Sequence, residues 1–212
     1  MSVTGVALIL FLTFHMSMNI AALFSGEAYN MICEFLGANW YALVATLGLA
    51  ALAVIHIIYA FWLTMQNRKA RGNERYAVTT RPAGVEWSSQ NMLVLGIIII
   101  LGLLLHLFNF WYNMMFAELT GITVAHDPAD GYAYIVDTFA CPVYVVLYIV
   151  WIVALWFHLT HGFWSAMQTF GWSGKTWFCR WKVIGIAYST LLCLGFLVVV
   201  LWFAAKGLCG CC

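Results

Sequence analysis

Charged residues are scarce in this sequence. Its 212 residues include nine Lys or Arg and eight Asp or Glu, so that 8% of the chain is charged and 65% is hydrophobic. A soluble domain is about a quarter charged and about half apolar. The composition therefore excludes an ordinary soluble domain and predicts a protein embedded in a membrane.

Charge is absent altogether from five long apolar segments. A helix needs about 20 residues to cross the hydrocarbon core of a bilayer, and a backbone in lipid must satisfy its own hydrogen bonds. We therefore expect one all-α membrane domain over residues 1–212, built as a bundle of five transmembrane helices. The predicted spans are 3–24, 40–65, 92–116, 139–167 and 183–205. The first lacks the basic start and the cleavage site of a signal peptide, so we expect it to be a helix of the bundle.

Basic residues concentrate in two of the connections between these spans. The segments 66–91 and 168–182 contain eight of the nine Lys and Arg residues, whereas the other connections are acidic. The positive-inside rule then predicts a cytoplasmic N-terminus and a C-terminus on the outer side. The basic residues are Arg68, Lys69, Arg71, Arg75, Arg81, Lys175, Arg180 and Lys182, and the acidic ones opposite are Glu27, Glu34, Glu118, Asp127, Asp130 and Asp137.

Two further features are missing from the sequence. No connection between spans is long enough for a nucleotide-binding domain, so we assign no catalytic residue to this chain and expect soluble chemistry to come from a partner. The cysteines match no iron–sulfur spacing, and we interpret the terminal CGCC as a frayed end rather than a disulfide or metal site. The cysteines are Cys33, Cys141, Cys179, Cys193, Cys209, Cys211 and Cys212.

Five of the six histidines lie inside the predicted spans, where an ionisable side chain is costly and usually faces a partner in the bundle. Counted from the helix ends at about 1.5 Å per residue, His15 and His106 lie at one depth. His56 and His158 lie at a second depth, nearer the cytoplasm. Two imidazole pairs from different helices are the ligands that two bis-histidine haems need.

Other metal and proton chemistry fits this pattern less well. Zinc needs about four ligands at one depth, and a proton relay favours carboxylates, which are absent from the spans. Gly102 and Gly162 lie one turn from His106 and His158 on the same helix faces. A missing side chain there lets a flat macrocycle approach the backbone, although such glycines more often serve helix packing.

His161 follows His158 by one helical turn and lies about 4.5 Å nearer the cytoplasmic surface. We interpret His158 as the ligand and expect His161 to bond a haem propionate or a loop carbonyl. His126 lies in an acidic outer connection, where we expect solvated surface.

With these residues in place, the chain resembles the cytochrome b membrane anchor of succinate dehydrogenases and fumarate reductases, in its single-chain, five-helix, di-haem form. The resemblance extends over nearly the whole chain. It rests on HMSMN at 15–19, GEAYN at 26–30, IHIIYAFWLTMQNRKARG at 55–72, LHLFNFWY at 105–112, and FHLTHGFW at 157–164 followed by TFGW. The fourth ligand of that family has a Gly four residues later and an aromatic-Gly pair twelve residues later, which His158, Gly162 and Phe170-Gly171 match.

The resemblance implies two b-type haems in a bacterial cytoplasmic membrane. The proximal haem, nearer the dehydrogenase, takes His56 and His158, and the distal haem takes His15 and His106. Electrons pass from succinate through a flavoprotein and an iron–sulfur subunit, docked on the cytoplasmic face, to a membrane quinone, for which we expect menaquinone. No nucleic acid is expected as a partner.

Two positions depart from the family pattern. Some fumarate reductases have a Glu two residues before the fourth ligand, thought to help move protons, where this chain has Trp156, which disfavours a carboxylate proton path there. The chain also begins at MSVTG without the basic, polar stretch usual in relatives.

A quinone site near the distal haem needs a proton acceptor, because quinol oxidation releases two protons. Glu34 is the first candidate and Glu27 the alternative, and solvated outer acids are the competing interpretation. Asn19, Asn109 and Tyr112 lie near the distal ligands and are candidates to bond a quinone carbonyl or a propionate.

Two other functions remain open from the residues. The cytochrome b subunit of a hydrogenase or formate dehydrogenase uses the same chemistry with a different histidine distribution. A haem-free transporter with polar helix interiors is the alternative from another class.

Overall fold

The structure is a computed structural model that describes residues 1–37, 39–72 and 86–209, apart from the side chains of residues 71, 208 and 209. These residues form helices and no strand. The helices are α1 Ser2–Phe24, α2 Gly26–Phe35, α3 Trp40–Arg71, α4 Trp87–Gln90, α5 Met92–His106, a π-helical continuation Leu107–Phe116, α6 Ala117–Thr120, α7 Gly131–Ala140, α8 Pro142–Thr169 and α9 Lys175–Cys209.

Five of these helical stretches are long and apolar enough to cross a membrane. They cover Ser2–Phe24, Trp40–Ala70, Met92–Thr120, Pro142–Thr169 and Lys175–Gly207. The prediction of an all-helical protein with five spans is therefore confirmed, and the chain is a multi-pass membrane protein.

Several predicted span limits need correction. The fourth span begins at Pro142 rather than at 139, because Cys141 is extended (φ −88°, ψ 114°) and Pro142 starts a new helix. The fifth begins at Lys175 rather than at 183, and α3 continues beyond 65 to Arg71. The prediction limited each span to residues without charge. Helices α3 and α9 continue beyond those limits because Lys and Arg are good helix formers, and their long side chains can reach the membrane interface.

The connections between α1 and α3 and between α5 and α8 contain the short helices α2 and α7. Following the predicted topology, we call this end of the bundle the outer end and the opposite end the inner end. The Oγ atom of Ser25 accepts a hydrogen bond from the backbone N–H of Ala28 and caps α2. The Asp130 carboxylate caps α7 through the N–H of Ala133 and also accepts from Nδ2 of Asn30 at 2.7 Å. Such caps satisfy otherwise unpaired N–H groups, and the last contact ties the two short helices together over the outer end of the bundle.

Four of the long helices form a closed ring. Helix α1 packs against α3 and α8, and α5 packs against the same two helices. Among the described residues, α1 has no comparable packing with α5, nor α3 with α8, so these pairs are the two diagonals of a four-helix bundle. Helix α9 lies outside this ring, against α8 and α1.

Gly102 on α5 is a point of close packing between α5 and α8. A Cβ atom built on Gly102 would lie 2.1 Å from Cδ1 of Trp151, and the indole Nε1 of Trp151 donates to the carbonyl of Ile99 at 3.1 Å. Of the two interpretations given for this glycine, its surroundings favour helix packing. Gly162, by contrast, has no such neighbour within 4 Å.

We therefore expect Gly102→Ala to destabilise the bundle. The added methyl group displaces the Trp151 indole and its hydrogen bond to Ile99, and overpacking of this kind costs about 1–3 kcal/mol. Gly96→Ala on the same helix is the matched control, because open space surrounds Gly96. Thermal unfolding in detergent should show a lower midpoint for Gly102→Ala alone, and equal midpoints for the two variants would contradict this packing role.

Candidate metal centre

Each diagonal of the bundle is bridged by a pair of histidines. His15 on α1 faces His106 at the end of α5, with 5.7 Å between the ring centroids. His56 on α3 faces His158 on α8, with 6.3 Å between the centroids. The rings that were expected to share a depth thus lie side by side, between helices whose backbones do not pack together.

The two pairs lie at different levels along the bundle. Thr4 on α1 contacts His56, and from Thr4 to His15 the helix rises about 16 Å. On α8, the Tyr148 and Trp151 rings lie beside His106, and from them to His158 the rise is about 10–15 Å. The two pairs are therefore about two to three helical turns apart.

Aromatic rings surround the outer pair, which is His15 with His106. Phe11 stacks on His15 with a centroid distance of 5.4 Å and an interplanar angle of 19°, and Phe196 lies 6.0 Å from the same ring. The rings around His106 are Phe110 at 5.1 Å, Trp151 at 5.6 Å and Tyr148 at 6.3 Å. Aromatic side chains thus make up much of the surroundings of both imidazoles.

Two of the imidazoles leave a buried polar atom without a partner. The Nδ1 atoms of His106 and His158 are buried and make no hydrogen bond within the described part of the chain. Such an atom costs about 1–3 kcal/mol. Nδ1 of His56, by contrast, lies 3.0 Å from Oγ1 of Thr4.

The donor set fits a haem iron better than a metal held by protein ligands alone. A metal-bound imidazole nitrogen lies about 2 Å from the ion, so two rings on opposite sides of one iron have centroids about 6 Å apart, as both pairs do. Within residues 1–37, 39–72 and 86–209, no three His, Cys, Asp or Glu side chains group to hold a metal. A bis-histidine haem needs only two.

His161 has a partner that the sequence did not predict. Its Nδ1 lies 3.4 Å from Oε2 of Glu86, whose Oε1 is 2.8 Å from Nζ of Lys182. The Lys182 ammonium also lies 4.6 Å from the centre of the Trp164 ring. Instead of a loop carbonyl, the side chain that His161 contacts is a carboxylate, held at the inner ends of α8 and α9.

The pKa of the Glu86 carboxyl is changed by its two neighbours, His161 and Lys182. Partial burial acts to raise the pKa of Glu86, but the hydrogen bonds and charges of Lys182 and His161 together outweigh it and hold the pKa below its usual value. Glu86 is therefore charged at neutral pH.

The two asparagines among the quinone candidates lie near the outer histidines. Nδ2 of Asn19 donates to the carbonyl of His15 at 2.8 Å, and its Oδ1 accepts from the hydroxyl of Tyr29 at 3.2 Å. Asn109 is buried, and its Nδ2 donates to the hydroxyl of Tyr148 at 3.4 Å. Asn19 thus bonds the backbone of His15 one turn earlier in the same helix, while Asn109 contacts Tyr148, whose ring lies beside His106.

The remaining quinone candidates lie elsewhere. Glu27 and Glu34 are exposed on α2 and line an open depression of about 310 Å³ at the outer end, together with Asp127 and Asp130. Tyr112 is 39% exposed and stacks with Phe108 and Phe116. The structure therefore does not gather all five candidates into one pocket.

Two other features of the site were not predicted from the sequence. The backbone after His106 is π-helical over Leu107–Phe116, a form that often occurs at functional sites, and Nδ2 of Asn113 reaches back to the carbonyls of Phe108 and Asn109. The contact between Thr4 and His56 also has no local sequence signal, because it joins two different helices.

Arg75, Arg81, Cys211 and Cys212 lie outside the described residues.

Comparison with known proteins identifies no relative of this chain. No family model matches the sequence, and neither the curated proteins nor the solved structures include a significant match. The fold and the site therefore define the class directly as a multi-pass helical membrane protein with two facing imidazole pairs in its interior.

We expect Lys182→Met to lower stability by about 0.2–1 kcal/mol near pH 7, the range for an exposed ion pair. Because the pKa of Glu86 is lowered in the folded chain, its contribution is present above its unfolded pKa of about 4.3 and is lost as the pH falls through the folded pKa. The difference in stability between the wild type and Lys182→Met should therefore become smaller at acidic pH. Lys175→Met, at an exposed lysine, is the control, and thermal unfolding across pH 3–7 is the measurement. A deficit that does not change with pH would contradict the ion pair.

Proposed function

We propose that this chain is a di-haem cytochrome b membrane anchor of a succinate dehydrogenase or fumarate reductase, which passes electrons between an iron–sulfur subunit and a membrane quinone. The observation that carries the proposal is the pair of histidine bridges across the two diagonals of the bundle, at two levels, with centroid distances of 5.7 and 6.3 Å. The choice of succinate dehydrogenase or fumarate reductase among haem-containing enzymes rests on the sequence resemblance.

In this proposal the chain holds two b-type haems, which supply one-electron redox chemistry within the membrane. His56 and His158 ligate the proximal haem, and His15 and His106 ligate the distal haem. Ligands on four different helices fix the positions of both sites relative to the bundle. The aromatic rings around His106 and His15 exclude water from the outer site.

The assignment of His158 rather than His161 as the fourth ligand has structural support. The His158 ring faces His56 across the bundle, whereas the His161 ring lies one turn further along α8, beside the Glu86 carboxylate. His161 then belongs to the group of side chains that holds the inner end of α8.

The basic inner ends of the helices support docking of the soluble subunits on the cytoplasmic face of a bacterial membrane. Lys69 lies in the last turn of α3, and Lys175 and Arg180 occupy the exposed first turns of α9. In this proposal the flavoprotein and the iron–sulfur subunit bind there and contain the site of succinate oxidation. The chain itself transfers electrons and has no substrate-oxidising site.

The quinone, proposed to be menaquinone, binds near the distal haem at the outer end. Asn109 is the best-supported contact, because it is buried next to Tyr148 and thus close to His106. Glu34 and Glu27 offer carboxylates in the outer depression that can accept the two protons of a quinol. Exposure of both to solvent gives those protons a route out of the membrane.

We expect His158→Ala to lose the proximal haem and His161→Ala to retain both haems. The first change removes one of the two histidines that would hold the proximal haem, whereas the second removes a partner of Glu86 outside the bridge. The measurement is the pyridine haemochrome content per polypeptide of each purified variant. Equal losses in the two variants would reverse the assignment of the ligand.

The proposed electron path is tested with the chain purified together with its soluble partners in detergent. Succinate should reduce the b haems of the wild-type complex, and His15→Leu should remove the distal haem and abolish quinone reduction. A complex that retains haem but shows no response to succinate would favour the hydrogenase or formate dehydrogenase alternative. A His15→Leu complex that still reduces quinone with succinate would contradict this path. Well-folded wild-type protein that binds no haem and tolerates His15→Leu would favour a transporter without haem.

A further inference from the structure

One turn of α1 at the inner end of the bundle holds the ring of His56. The Thr4 hydroxyl lies 3.0 Å from Nδ1 of His56 and 2.8 Å from the carbonyl oxygen of Met1. The next residue packs against the same ring, since a Cβ atom built on Gly5 would lie 3.6 Å from Cε1 of His56. None of the motifs that carry the family resemblance includes Thr4 or Gly5.

The two contacts of the Thr4 hydroxyl determine where the imidazole proton lies. A hydroxyl has one hydrogen to donate and can also accept, whereas a carbonyl oxygen can only accept. Both contacts are hydrogen bonds at once only if Thr4 donates to Met1 and accepts from Nδ1–H of His56. A neutral imidazole has a single N–H, so the lone pair is then on Nε2.

This tautomer leaves the lone pair of Nε2 available to bind a metal. A histidine that binds a metal through one nitrogen usually donates its other N–H to a neighbouring acceptor, which fixes the ring and makes the ligand more basic. The facing ring lacks such a contact, because Nδ1 of His158 is buried without a partner among the described residues, as is Nδ1 of His106. The threonine contact therefore distinguishes one bridge of the bundle from the other.

The geometry points to Thr4 as a positioning residue for His56, one that fixes its tautomer and orientation and increases the electron density it gives to the proximal haem iron. This inference rests on the proposed function, because it concerns a ligand of the proposed haem. A more basic ligand stabilises the ferric form, so the contact lowers the midpoint potential of that haem and leaves the distal haem unaffected.

The test is a redox titration of the complex with Thr4→Val and Thr4→Ser. Valine keeps the shape and removes the acceptor, so one of the two haem potentials should rise while the other stays at its wild-type value. Loss of such a partner typically weakens metal binding about 10- to 100-fold, and a tenfold weakening confined to the ferric form corresponds to about 59 mV. Serine retains the hydroxyl and should restore the wild-type potential.

Ser17→Ala is the matched control, because its hydroxyl on the same helix bonds only the helix backbone, at the carbonyl of Thr13. Loss of one haem from Thr4→Val with both kept in Thr4→Ser would also support the inference. Unchanged potentials in Thr4→Val, or equal effects of valine and serine, would overturn it. Absence of haem from the wild-type complex would instead refute the proposed function.

Discussion

A buried imidazole in a membrane needs a partner, and the arrangement of this bundle depends on that constraint. Four histidines on four helices enter the interior at two levels, and each faces another across a diagonal. Helices α1, α3, α5 and α8, which contain these histidines, form the ring, while α9, which has no histidine within the membrane, packs outside it. Among the described residues, the buried Nδ1 atoms of His106 and His158 have no hydrogen-bond partner.

The features that follow from simple periodic rules were predictable from sequence. Five spans follow from the absence of charge, because lipid admits few charged residues. The pairing of His15 with His106 follows from depth, since a constant rise per residue converts sequence position into height. The same rule separated His158 from His161, and the latter lies against Glu86 rather than across from His56.

The features that depend on contacts between distant residues were not predictable. The extended residue Cys141 separates α7 from α8, and the basic residues at the start of α9 continue its helix rather than end it. Neither the Thr4 hydroxyl nor the Glu86 carboxylate belongs to a repeating pattern that points to its histidine. Nε1 of Trp156 donates to Oγ1 of Thr190 and joins α8 to α9, a packing role that its sequence position alone does not reveal.

The most direct test of the central claim is the haem content of the wild-type chain, purified with its neighbours in detergent. The claim is that each histidine bridge holds one haem, so two protohaems per polypeptide are predicted, both low-spin in the reduced-minus-oxidised spectrum because both axial positions are imidazole. One haem per chain would mean that one bridge is wrongly assigned. Well-folded protein without haem would contradict the account.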